Sequence, residues 1–72
     1  MFPSRKEVQK IVEMYPSGTR IKLLAMNDPQ AVPAGTTGTV VSVDGIGQIK
    51  MAWDNGSTLK LVPGEDEFEV IK

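Results

Sequence analysis

Three groups of side chains in this chain have the types and spacing to do chemistry. Glu65-Asp66-Glu67 sets three carboxylates in a row, which is the raw material of a hard-cation site. The alternation of Asp, Asn and Gly with which a calcium loop wraps its ion is missing, however, and a charged run beside a final edge strand serves to keep that edge from pairing. Arg20 and Lys22, two apart on an alternating segment, join Lys50 on a later one as a candidate phosphate-contacting face, with Arg5, Lys6 and Lys10 nearby in sequence. Trp53, the single tryptophan, would offer a stacking platform to a base or a peptide if exposed. Around it stand Met26, Asn27, Asp28 and Asn55, polar or soft side chains in segments that read as a loop and a turn.

Each has a plainer reading. Trp53 shares its alternation with Ile49 and Met51, so inward packing is the stronger local signal. Asp54, Asn55 and Gly56 are explained by a tight turn, where Asn and Asp bond their own backbone and Gly takes positive φ. Asp28 either faces a partner or accepts backbone N–H bonds that hold its loop, and both readings stand. The cationic residues also fit a solvated strand face, since clustered Arg and interleaved exposed aromatics are missing.

Covalent and acid–base catalysis find little to work with. The chain has no Cys and no His, and no Ser or Thr lies in a nucleophile-elbow context. Phosphate-loop and dinucleotide patterns are missing too, because Gly35, Gly38, Gly45 and Gly47 lie between strands with no helix following. The expectation is a protein that is not an enzyme and uses no cofactor or metal.

The elements that position these residues follow from periodicity. With 72 residues there is room for one domain with one small core, and no disulfide or zinc–thiolate site can supplement it. Ser4-Arg5-Lys6-Glu7 fits a capping box, and Val8, Ile11, Val12 and Tyr15 form one apolar stripe, so an amphipathic helix should run up to Pro16-Ser17-Gly18. Such a helix, about three turns long, is too short to be stable alone, and it either packs on the rest of this chain, the expected partner, or offers itself to another. Thr19 to Leu24 alternates as a first strand, Thr39 to Val43 is β-branched, and Ile46 to Trp53 alternates again. Asp44-Gly45 and Asp54-Asn55-Gly56 mark hairpin turns, the first lengthened to include Gly47. Ser57 to Leu61 should return as a fourth strand, Pro63-Gly64 should break it, and Phe68 to Ile71 should close the sheet. The aperiodic stretch from Met26 to Thr37 is a long loop for so small a domain, and long loops carry function or pack tightly.

The chain is thus expected to be mainly β, a small five-stranded barrel preceded by one N-terminal amphipathic α-helix. Residues 1–18 form the helix and its connecting turn, and residues 19–72 the barrel, all in one domain. Net charge is −1, with +3 over residues 1–26 and −4 over the remainder, so any basic surface must be local. No apolar stretch approaches membrane-spanning length, and the basic start has no apolar run behind it, so a soluble, cytoplasmic protein is expected.

The blocks Y-P-S-G-T-R-I-K-L-L-A-M-N-D-P, P-A-G-T-T-G-T-V-x-x-V-D-x-x-G-x-I-x-M-x-W-D-N-G and L-x-L-V-P-G-E-D-x-F, in that order, resemble the bacterial and phage family catalogued as domain of unknown function 4314. The resemblance covers Tyr15 to Ile71. It implies an SH3-like barrel and brings no established activity. Gly35-x-x-Gly38-x-Val40 is also similar to the opening of the KOW type of SH3-like module of ribosomal and transcription factors, although the accompanying basic residues are sparse. Two functional expectations follow. One is a non-enzymatic protein–protein interaction module that uses Met26, Asn27, Asp28, Trp53 and Asn55 and behaves as a monomer or weak homodimer. The other is a nucleic-acid-binding accessory factor of a phage or mobile element that uses Arg20, Lys22 and Lys50.

Overall fold

The computed structural model describes residues 4–26 and 32–71. Helix α1 (Arg5–Met14) precedes strands β1 (Arg20–Ala25), β2 (Thr37–Val43), β3 (Ile49–Trp53) and β4 (Glu67–Ile71). Ser4 is extended, and its Oγ accepts the Glu7 N–H at 3.2 Å, so the serine half of the capping box is made. The apolar stripe of α1 is narrower than its spacing implies. Ile11 and Tyr15 pack against the core while Val12 is exposed. The helix therefore docks on its own chain, and the Tyr15 ring meets Phe68 edge-on at a centroid distance of 5.4 Å.

The strands form one antiparallel sheet in the order β3-β2-β1-β4. Alternation sends Ile21, Leu23, Val40, Ile49, Met51 and Trp53 to one face, where Val32 and Leu61 join them in the buried core. Two three-residue loops shape the hairpins. Asp44 and Gln48 close the first, and Gly47 takes φ 83°. The Asp44 carboxylate accepts the N–H groups of Ile46 and Gln48, which explains an aspartate there better than flexibility does. Trp53 and Ser57 close the second loop, where Gly56 has φ 90°. Gly56→Ala is expected to cost about 1–2 kcal/mol, the penalty of a side chain in the left-handed region, with open space around the new methyl ruling out a packing contribution. Urea unfolding followed by Trp53 fluorescence would measure it.

The expected five-stranded barrel needs correction. Among the described residues four strands form and the sheet is open, with β3 and β4 as its two ends. The segment expected as a fourth strand, Ser57 to Leu61, makes a single bridge to β3, Leu61 with Ile49. The reason lies in two hydrogen bonds at Leu59. Leu59 C=O, which an unbroken ladder would pair with Met51, instead accepts the Trp53 indole Nε1–H at 2.9 Å, and Leu59 N–H donates to Ser57 Oγ. With both backbone groups of Leu59 taken by side chains, the middle rung is lost and the ladder shrinks to its ends.

Candidate functional site

The polar face of the sheet is built by the same alternation that buries the core. Arg20 lies directly across from Thr39 on β2, and Lys22 across from Thr37 on β2 and Glu69 on β4. The Arg20 guanidinium lies across β2 toward the turn that leaves β3. It donates to Thr39 Oγ1 at 2.8 Å and Thr37 Oγ1 at 3.2 Å, and pairs in bidentate fashion with Asp54 at 3.0 and 2.6 Å. Thr37 Oγ1–H donates to the same carboxylate. Four residues from three elements thus make one closed network, and the planar fork of Arg fits it in a way Lys would not.

Electrostatics follow the geometry. The Asp54 carboxyl is lowered from its ordinary 3.8 to about 2, first by the Arg20 hydrogen bonds and then by the Thr37 hydroxyl, against the opposing effect of desolvation. Arg20 is raised in return, chiefly by the Asp54 hydrogen bond. A carboxyl that titrates lower in the fold than in the unfolded chain contributes stability above its unfolded value, and that contribution fades as pH falls through the folded one. Acid should therefore loosen this corner between about pH 4 and 2. A carbon-13 titration of the Asp54 carboxyl is expected to show a midpoint near 2 in the native protein. In Arg20→Met the midpoint should climb back toward the ordinary value, short of it because Thr37 still donates. An unchanged midpoint in that variant would refute the network. The pair is well exposed, so its effect on overall stability is small.

A second polar pair stands by the first hairpin. Lys60 Nζ approaches Asp44 Oδ2 at 3.2 Å. Desolvation pushes the Asp44 carboxyl up, but hydrogen bonds from the Gln48 N–H, Lys60 and the Ile46 N–H outweigh it and leave the group below the ordinary carboxylate range. Asp66 has a comparable structural use, accepting the Val62 N–H at 2.8 Å across the Pro63-Gly64 turn. Among the described residues no group of three or more His, Cys, Asp or Glu comes together as a metal site.

The side chains singled out from sequence fall into three places. Trp53 is 3% exposed and faces the core, so its ring offers no platform. Met26 is half-buried against the same core, and Asn55 is exposed at the hairpin tip with its Oδ1 accepting the Ser57 N–H. Asn27 and Asp28 lie outside the described residues. Arg20, Lys22 and Lys50 do share the polar face, but Arg20 is held by Asp54, and Lys22 faces Glu69. Thr37, Thr39 and the Lys60 partner of Asp44 were not legible as participants, because the pairing register that brings them together is set by tertiary contacts. The alternation of Thr37 and Thr39 with buried neighbours was the available signal.

One further surface adjoins the interrupted ladder. Gln48, Gly56, Ser57, Thr58, Leu59, Lys60 and Val62 line an open groove of 680 Å³. Among the described residues no helix is long and apolar enough to cross a membrane. A family model described as Domain of unknown function (DUF4314) matches residues 4–71. No curated protein and no solved structure matches the chain.

Proposed function

We propose, from the premise that this chain belongs to the DUF4314 family, that it is a non-enzymatic binding module whose partner is another protein. The observation that carries this reading is the makeup of the polar sheet face. Cations and anions alternate across it: Arg20 with Asp54, and Lys22 with Glu69. Val41, the extra residue of the β2 bulge, stands 51% exposed, and Leu24 on β1 is exposed as well. A partner that is itself mixed in charge and partly apolar suits such a surface, whereas a polyanion gains from unopposed cations. The sheet order also supports an SH3-like architecture in an open form. Counting the Leu61 segment as a remnant strand gives the last strand, then the first, second and third, then the remnant.

Two measurements test the reading. Hydrogen exchange of the full chain in host-cell extract is expected to show added protection around Met26 and Asn55, on the polar face or along the adjoining Ser57 to Leu61 segment; unchanged exchange throughout would count against a protein partner. The competing reading, an accessory factor that contacts nucleic acid through Lys22 and Lys50, predicts salt-sensitive binding. Fluorescence anisotropy with single-stranded, double-stranded and RNA oligomers at low salt is expected to show none below about 100 μM, a range that non-specific binders exceed even at physiological salt. Binding there would displace the protein-interaction proposal.

A further inference from the structure

The segment Ser57 to Leu61 is a strand in everything but its middle rung. It leaves β3 at the Trp53–Ser57 bond and rejoins at the Ile49–Leu61 pair, with the same number of residues on both sides, so it must run extended. Its odd residues use their backbone groups inward. Ser57 C=O accepts the Trp53 N–H at 3.1 Å, Leu59 C=O accepts the Trp53 indole at 2.9 Å, and Leu61 exchanges bonds of 2.8 and 2.9 Å with Ile49. Ser57 and Leu59 N–H are held by Asn55 Oδ1 and Ser57 Oγ. Thr58 and Lys60, both exposed, form no backbone hydrogen bond among the described residues. In an extended chain the groups of alternate residues point to opposite edges, so these two N–H and two C=O groups face outward together. They line the open groove described above, beside Leu59 and Val62.

We infer that this edge binds an extended peptide segment of a partner protein, which adds to it as a strand and makes backbone hydrogen bonds to Thr58 and Lys60. The inference rests on the protein-interaction reading and names where and how the partner docks. The occupant is argued from the groups themselves. Donors and acceptors alternate at strand spacing, which a peptide backbone matches bond for bond. Phosphate oxygens only accept, and would leave both carbonyls unpaired. The groove supplies the selectivity that backbone bonds lack. Leu59 and Val62 favour an apolar, β-branched side chain on the inner face. The site ends at Val62, whose N–H is capped by Asp66 and whose C=O accepts from Glu65 and Asp66, so the contact is short and its affinity modest.

The test uses the full chain, labelled with nitrogen-15, and an N-acetylated, C-amidated peptide of about six residues alternating Val and Thr, titrated to about 5 mM, the affinity range of a few backbone bonds. The largest amide shifts are expected at Thr58 and Lys60, with exchange of those two amides slowed about tenfold at saturation. The same peptide with every amide N-methylated keeps its side chains and loses its donors, and should bind at least about tenfold more weakly. Equal binding of both peptides, or no shift at Thr58 and Lys60, overturns the inference. So do shifts at these amides that grow with protein concentration alone, which would assign the edge to a second copy of the chain. Shifts gathered at Met26 and Asn55 would defeat the edge and leave the protein-interaction reading standing; silence here together with unchanged exchange in extract would end both.

Discussion

Trp53→Ala is expected to leave the chain largely unfolded at 25 °C. Truncating a buried Trp costs about 3–5 kcal/mol, and a core in a chain of this length supplies a net stability of about the same size. Trp53 adds to that its indole bond to Leu59 C=O, which holds the middle of the returning segment to β3. Far-ultraviolet circular dichroism with a thermal melt would read the result; a cooperative melt within a few degrees of the parent would refute the central place given to this residue. Trp53→Phe separates the two contributions. It retains much of the buried ring and frees the Leu59 carbonyl, which then has the Met51 N–H across the missing rung as its natural partner. A smaller loss of stability, with new exchange protection at Met51, is the expected signature.

That one side chain also marks the boundary of what the sequence could convey. Alternation placed Ile21, Leu23, Ile49, Met51 and Trp53 on one face correctly, because period-2 burial is a local property of each strand. The turns were legible for the same reason: Asp44 to Gly47 and Asp54 to Gly56 carry their geometry in residue type. The failure came at Ser57 to Leu61, where pattern and propensity allowed a strand and a side chain from the neighbouring strand took the carbonyl the strand needed. No local signal encodes that competition. The polar face divides in the same way. That Arg20 and Lys22 point outward could be read from spacing, but that Arg20 meets Asp54 across 34 residues of chain depends on register, and register turned a candidate phosphate contact into a closed ion pair.

Gly38→Ala is the companion experiment, because Gly38 is where the Trp53 ring lies. Ile21, Gly38 and Trp53 stand in one cross-strand row, and a Cβ built on Gly38 would come within 2.7 Å of Trp53 Cε3 and 3.1 Å of both the Ala52 carbonyl oxygen and Trp53 Cα. The ring edge can shift; the two backbone atoms belong to the paired strand and shift only if the β2–β3 ladder does. Overpacking of a tight core costs about 1–3 kcal/mol, and the backbone contacts put this site at the upper end. The paired glycines of the G-T-T-G segment therefore have different causes. Gly35 takes a φ of 91° with open space beside it, whereas Gly38 is needed for close approach. A double-mutant cycle separates ring from backbone. Combining Gly38→Ala with Trp53→Phe removes the Cε3 clash but leaves the two backbone contacts, so the pair should be less damaging than the sum of the singles by about 0.5–3 kcal/mol, yet still worse than Trp53→Phe alone. Strict additivity would mean that the ring does not rest on Gly38 and that close approach is not why glycine stands there.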